Sequence, residues 1–534
     1  MKEKEFNLLD EPWIRVMTDD CSVKDVSLTD ALLHAHEYVE LAGELPTQDM
    51  AILRLLLAVL YTVFSQFDET GQPYPLEEPD DAYDRWENLW RLKKFPEQPI
   101  CEYLNQYRER FYLFHPERPF WQVNEASAGT EFTAAKLNGA ISESSNKVRL
   151  FPCRAGASKE VLQYGEAARW LIYLNGFDDT SAKPKQKGLP SPGAGWLGKL
   201  GLIAAQGDNL FETLMLNLVL LDRNGQLWDE NKPVWELDKP KTDERTPISL
   251  PNNQAELLTL QSRRLLLMRD KRGVTGYKLL GGDFFDKANA LTEQMTIWTH
   301  VEGKKNELPF DQPRRHTPGK QVWREFSTIV PQEKGAETPG VVRWQAMLED
   351  ARAIDKKRMV RFSVASVQYG DKDFFVTDVF SDSISFSMGL LSKAGRRWND
   401  SIRREIELTD KLADEMKYFG MNVDKSDGGN GITLGNWMKE QFYYRIDMDF
   451  RRFLESIDPN DGYEKQIERL NGWREMETKI AYALANEVIA QSSDAALFGR
   501  TVSEKDKNGA DVIRHYSVAE AYSLLSYRVR KIFE

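Results

Sequence analysis

At 534 residues with 41% hydrophobic content, the chain is long enough for a large core and too long for one small domain, so at least two structural units are expected. Its net charge of −12 argues against wholesale coating of nucleic acid, yet net charge governs solubility and steering and leaves room for local basic sites. Three cysteines, Cys21, Cys101 and Cys153, are too few and too scattered for a disulfide framework or a CxxC zinc site, and they fit a reducing, cytoplasmic setting.

The chain opens with Phe6-Asn7-Leu8-Leu9-Asp10-Glu11-Pro12-Trp13-Ile14-Arg15-Val16, in which the proline marks a turn and Trp13 to Val16 reads as a strand that ties down the N-terminus. No signal-peptide pattern precedes it. The most apolar run, Met50 to Phe64, is interrupted by Arg54 and is shorter than the roughly 20 residues of a membrane span, so a buried helix and no membrane attachment are expected. The aromatic stretch from Glu102 to Trp121 suits a core, as does an expected helix over Leu210 to Leu221 with Phe211, Leu214, Leu218 and Leu221 on one face. Helical and β-like runs alternate up to about residue 380, which predicts a large mixed α+β domain over 1–380.

From 381 to 534 the periodicity becomes helical. Trp398, Ile402 and Ile406 form one stripe; Phe442, Ile446, Phe450, Phe453 and Ile457 form a second. Tyr463, Ile467, Leu470, Trp473, Ile480, Leu484 and Val488 make a third, and a fourth starts at the capping-box pattern Ser517-x-x-Glu520 and carries Leu525, Val529 and Ile532. With a polar loop around 501–511 between the last two, these stripes predict a C-terminal four-helix bundle.

The densest chemical feature is the run Lys183 to Gly201. Gly193, Gly195, Gly198 and Gly201 lack a Cβ and let backbone approach a phosphate or base edge, while Lys183, Lys185, Lys187 and Lys199 attract phosphates. A surface loop with solvated lysines would have the same composition. No GxxxxGK[ST] spacing is present, so it is not a P-loop. The further clusters Arg263-Arg264, Arg269 to Arg272, Lys304-Lys305, Arg314-Arg315 and Lys356-Lys357-Arg358 read by default as solvated faces. No HExxH, HD or GxSxG pattern appears, and the best nucleophile–base pairing, Cys153 with His115, would need an accident of folding. A binding protein without catalytic residues is expected.

Taken together, Phe6 to Val16, the run Phe111-Tyr112-Leu113-Phe114-His115-Pro116-Glu117-Arg118-Pro119-Phe120, and Gly195-Trp196-Leu197-Gly198-Lys199-Leu200-Gly201 followed by Glu212 to Val219 closely resemble the CasA family, the large subunit of the type I-E CRISPR Cascade complex. The resemblance implies a non-catalytic subunit of an RNA-guided surveillance complex. Such a subunit sits near the 5′ end of the CRISPR guide RNA, contacts other Cascade subunits, and reads the protospacer-adjacent motif in double-stranded target DNA, mainly from the minor groove. It also aids unwinding and helps recruit a helicase-nuclease. It further implies a glycine loop at Gly193 and Gly195, and a lysine finger at Lys278 or, preferred, Lys287. A guide-RNA and subunit loop would carry Lys147, Arg149, Leu150 and Phe151, and a duplex-separating wedge would carry Lys372, Asp373 and Phe374. Two departures stand out: the cysteine pairs that would suit zinc in some members are missing, so no metal or other cofactor is implied, and Lys372 and Asp373 stand where the wedge glutamine is expected. The rival reading is a scaffold of the same fold that binds only proteins; a hydrolase built on Cys153 and His115 is the third.

Overall fold

The computed structural model describes residues 4–138, 157–180, 193–303, 308–332, 335–355, 357–505 and 511–534. Two compact units result, Met1–Lys356 with Val360–Ile384, and Lys357–Met359 with Ser385–Glu534.

In the first unit the opening segment is anchored from both sides of its turn. Glu5–Asn7 pairs antiparallel with Tyr112–Phe114, and Ile14–Thr18 pairs with Val23–Val26 and Tyr38–Leu41. Between them Trp13 is fully buried and donates its indole N–H to the Leu8 carbonyl at 2.9 Å, satisfying the one polar atom of an otherwise apolar group. The apolar run forms helix α1 (Pro46–Phe64), started by a proline whose missing N–H costs nothing in a first turn. Arg54 in its middle is buried yet paired bidentately with buried Glu293, at 2.7 and 2.9 Å, which is the only cheap way to keep that charge inside. Helix α2 (Tyr164–Phe177) packs against α1.

A three-stranded sheet carries the middle of the unit: β1 (Leu202–Gln206) pairs antiparallel with β2 (Met359–Tyr369), and β3 (Val376–Ser387) lies on the other side of β2. A second sheet orders Thr130–Thr133, Gly273–Gly281 and Arg263–Asp270. The helix expected over Leu210 to Leu221 stops at Asn217. There the Asn217 side chain exchanges hydrogen bonds with the Ala205 N–H (2.9 Å) and carbonyl (2.7 Å), and the Val219 N–H turns away to the Tyr61 hydroxyl at 2.8 Å. Leu218 to Leu221 remain buried, so the apolar signal was sound and only its conformation differed.

The second unit holds four long helices, α3 (Arg396–Ser426), α4 (Ile432–Glu455), α5 (Tyr463–Ala490) and α6 (Val518–Phe533), with α3 packed against each of the other three. Helix α5 is rotated from the expected stripe: Tyr463 and Ile467 are exposed, while Gln466 and Glu477 join Leu470, Trp473, Ala481, Leu484 and Val488 inside. Two polar residues on the buried face disguised it. At the start of α6 the Ser517 hydroxyl accepts the Glu520 N–H at 3.2 Å, while the Glu520 carboxylate pairs with His515. Where a polar loop is expected around 501–511, the described residues pair as antiparallel strands, β4 (Arg500–Lys505) with β5 (Asp511–Tyr516), and 506–510 lie outside the described residues. Lys425 of α3 holds it, donating to Glu504 at 2.6 Å beneath the Tyr516 ring.

A candidate nucleic-acid interface

The glycines of the Gly193 to Gly201 run serve two different purposes. Gly193 has φ +62, no atom of the described residues lies within 4 Å of where its Cβ would be, and its carbonyl accepts from Arg263 at 2.6 Å, so the backbone turn is fixed from behind and, among the described residues, free in front. Gly195, Gly198 and Gly201 are packing positions. A Cβ on Gly195 would lie 2.3 Å from the Gly176 carbonyl oxygen, one on Gly198 would lie 2.2 Å from the Tyr369 hydroxyl, and one on Gly201 would lie 2.4 Å from the Arg314 carbonyl. The run is therefore clamped against the C-terminal end of α2. Trp196 secures it further, donating to Glu293 at 2.8 Å and packing on Phe285 at 4.4 Å between ring centroids. Burial opposes ionisation of Glu293, but the Arg54 charge and the hydrogen bonds outweigh it and hold the carboxyl below its usual range.

The β2–β3 connection reaches the same place from far along the chain. Lys372 and Asp373 at its tip both have positive φ, +55 and +58, a conformation that costs a residue with a Cβ and persists when surroundings fix it. The surroundings are Thr180, whose N–H donates to the Asp373 carbonyl at 3.0 Å and whose hydroxyl donates to the Lys372 carbonyl at 3.1 Å, and Arg315. Arg315 donates to the Gly198 carbonyl at 2.6 Å and to the Asp373 carboxylate at 2.8 Å, with its guanidinium 4.6 Å from the Tyr369 ring centre. Tyr369 in turn donates to the Phe177 carbonyl at 2.6 Å. Arg315 is thus the charge partner of Asp373, and the Lys372 side chain is exposed and without a partner among the described residues. Phe374 is 44% exposed, a large apolar ring at the tip.

Arg263, which holds the turn, acts together with Lys287 and Arg245 on the charge of Lys199. Arg263 is buried and committed to Asp178, the Gly193 carbonyl and the Asp179 carbonyl, so the expectation of a solvated face at Arg263-Arg264 is reversed: Arg264 too is buried, on Asp283 at 2.6 Å. Arg245 is buried over the Phe284 ring. Lys287 is exposed, whereas Lys278 lies on a strand and donates to the Ser127 carbonyl at 3.2 Å. Burial and then the Arg263, Lys287 and Arg245 charges push Lys199 down to about 8.

These features belong to a chain whose residues 7–484 match the sequence profile of the family described as CRISPR-associated protein Cse1. The chain belongs to the Cse1 family. A relative from Thermus thermophilus, CRISPR-associated protein CasA/Cse1, is 26% identical over 493 residues, 88% of this chain and 91% of that protein. The crystal structure of Thermobifida fusca Cse1 matches with a TM-score of 0.82 and 25% identity, over 99% of this chain and 98% of that one. A chain of a CRISPR RNA-guided surveillance complex shares the fold, with a TM-score of 0.68 and 16% identity over 100% of both chains.

Of the residues that the Cse1 resemblance suggested, Gly193, Lys287, Lys372, Asp373 and Phe374 fall in the first unit, and the glycine turn and the hairpin tip are joined through Arg263, Asp178, Thr180 and Arg315. Gly195 is in the same run but faces α2. Lys147, Arg149, Leu150 and Phe151 lie outside the described residues, as do Lys183, Lys185, Lys187, Lys304, Lys305, Lys356 and Cys153. His115 is occupied by the Glu117 and Arg118 N–H groups, at 3.1 and 2.9 Å. His316 is buried between Glu325 and the Leu202 carbonyl. Sequence reasoning missed Arg263, Arg315 and Thr180 as supports of the site, because each works through backbone carbonyls or a carboxylate distant in sequence and none belongs to a local motif.

Proposed function

We propose that this Cse1-family chain is the large, non-catalytic subunit of a cytoplasmic RNA-guided CRISPR surveillance complex. In it the chain would recognise the protospacer-adjacent motif in double-stranded DNA, aid strand separation and recruit a helicase-nuclease. One observation carries the reading: a backbone turn at Gly193, open in front among the described residues, and a strained hairpin tip at Lys372 to Phe374, far apart in sequence, are braced against each other by Arg263, Thr180 and Arg315. A glycine turn supplies close backbone approach to a groove, exposed Lys287 supplies charge, and a projecting Phe374 supplies an apolar surface that offsets unstacking. Guide pairing then reads the long sequence.

The second unit suits assembly. Its four long helices would act as a four-helix bundle, and α4 leaves Trp437, Tyr444 and Met448 exposed on one face, a composition enriched at protein contacts. The scaffold alternative predicts that reconstituted complex binds targets with and without the adjacent motif equally. A gel-shift comparison of the two targets decides it: preference for the motif-bearing duplex supports recognition, and equal affinity overturns it.

A further inference from the structure

The face of the β1–β2 pair that looks toward the start of α1 is built largely from small side chains. Ala204 stands opposite Ser363 and Gln206 opposite Arg361, with Ala365 next along β2, and strand alternation puts all five on one side. Ile203 and Phe362, which point the other way, are fully buried. Across from the small face lie Met50 and Leu53 of α1 and Leu210 of the helix Leu210–Asn217, and they do not fill the gap. An open cavity of about 540 Å³ remains inside the first unit, in the size range of small-molecule sites. A gap this large in a closely packed fold forfeits contacts that an occupant of matching shape restores.

The chemistry of the wall narrows the occupant. Four carboxylates line it, Glu40 and Asp49 from the strand Tyr38–Leu41 and α1, and Asp208 and Asp382 from the side of the sheet. Among the described residues Glu40, Asp49 and Asp208 have no ion pair; Asp49 accepts the Gly43 N–H and Asp382 the Val322 N–H, each at 2.8 Å. Arg361 is the only cation on the wall among the described residues, and it is exposed and has no ion pair there, so the cavity stays net acidic. Burial, with the Glu40 and Glu44 charges adding to it against the Gly43 N–H and Arg169, holds the Asp49 carboxyl up at about 7, a cost that a cation beside it reverses. Among the described residues no three of these acids converge closely enough to hold a metal ion. Acids set apart on two sides, with Leu41, Met50, Leu53 and Leu210 as the apolar part of the wall, instead match an organic cation whose charges are separated by methylenes.

We propose that this cavity binds a free aliphatic diamine or polyamine, its ammonium groups on the Glu40–Asp49 and Asp208–Asp382 sides and its methylenes against Met50, Leu53 and Leu210. An ammonium carries only donors, which suits a wall of carboxylates and hydroxyls. Binding of this kind does not depend on DNA recognition, and either can fail alone.

The test uses the full chain without nucleic acid, with cadaverine and spermidine as probes, and reads melting temperature and calorimetric binding at an ionic strength held constant with NaCl. Both probes should raise the melting temperature, pentylamine with its single charge should raise it less, and neutral pentanol should leave it unchanged. Asp49→Asn keeps the shape and can still accept the Gly43 N–H, yet it should weaken cadaverine binding roughly tenfold, the loss of one charge-assisted hydrogen bond. Arg361→Gln removes a like charge from the wall and should tighten binding. Ser363→Leu fills the cavity and should abolish binding without lowering the melting temperature of the unliganded chain, since Ser363 gives up only a hydrogen bond of 3.4 Å to the Ala204 carbonyl; should that variant not fold, Asp49→Asn carries the test. No response to either amine beyond that to NaCl, or an equal response in Asp49→Asn, overturns the inference. Loss of binding in Arg361→Gln assigns the cavity to an anion and overturns it as well. If the free chain ignores both amines while Ser363→Leu blocks assembly of the complex, the cavity takes a side chain of a partner and the small-molecule site falls.

Discussion

Gly193 and Gly195 are two residues apart and would look interchangeable in a composition count, yet their surroundings make opposite demands. Ala at Gly193 meets only the cost of a left-handed backbone, about 1 kcal/mol. Ala at Gly195 drives a Cβ to 2.3 Å from the Gly176 oxygen, and relieving it must displace backbone of α2, which costs at least the roughly 1–3 kcal/mol of an overpacked core. Thermal unfolding of the two variants should therefore show a small shift for Gly193→Ala and a large one for Gly195→Ala. For function the order reverses. Asp tolerates left-handed backbone, so Gly193→Asp should fold and join the complex, but its carboxylate repels phosphate, and preference for the motif-bearing duplex should fall. A motif preference equal to wild type would remove the turn from the site.

The hairpin tip and helix α5 are elements whose behaviour depends on what lies beside them. At the tip, Thr180 and Arg315 fix the backbone, leaving Lys372 free to hold a phosphate and Phe374 free to stack at the separated step. Lys372→Ala with Phe374→Ala should slow strand opening more than it weakens first binding to the motif, because unstacking costs on the order of a few kcal/mol that the tip offsets only after contact. Permanganate reactivity of thymines next to the motif reads the opening rate, and wild-type kinetics would rule out the wedge role. In α5, Glu477 is fully buried. Thr409 donates to one of its oxygens at 2.7 Å; burial first, and then the neighbouring Glu405 charge, lift its carboxyl to about 8 in spite of Arg474. The folded state thus prefers the protonated acid. This group costs nothing below its unfolded value near 4.5, and its penalty grows as pH rises toward 8. Glu477→Gln keeps the shape and cannot ionise, so the melting temperature of the full chain should match wild type at pH near 5 and exceed it above pH 8. A difference independent of pH would show that Glu477 is not protonated in the fold.

Across the whole molecule, the chain leaves the first unit for Lys357–Met359, returns for Val360–Ile384, and then enters the second unit for good at Ser385. The brief visit is held by the Met388 N–H donating to the Arg358 carbonyl at 2.9 Å. Assembly is the function proper to this scale. The segment with Arg149, Leu150 and Phe151 lies outside the described residues, and the family resemblance gives it the guide-RNA and subunit contact. Replacing all three by alanine should release the chain from the complex, since an apolar and basic tip suits a pocket of protein and RNA. Co-elution of the triple variant with the other subunits on size exclusion would contradict that role.

The sequence by itself determined the features that rest on local pattern. Burial of the Met50 to Phe64 helix, anchoring of the opening strand around Trp13, and the presence of four long C-terminal helices all follow from runs and stripes of apolar residues whose spacing is a property of the chain alone. Tertiary structure decided what depends on partners distant in sequence. Asn217 ends its helix because Ala205 is beside it, α5 turns its Glu477 inward because Thr409 meets it there, and the polar residues of β4 and β5 pair as strands held by Lys425. The division is sharpest at the site. The glycines and lysines were legible as composition, but only packing distinguishes the open turn at Gly193 from the clamped one at Gly195. Only the fold commits Arg263 to Asp178 and Arg315 to Asp373, where composition shows no more than clusters of basic residues.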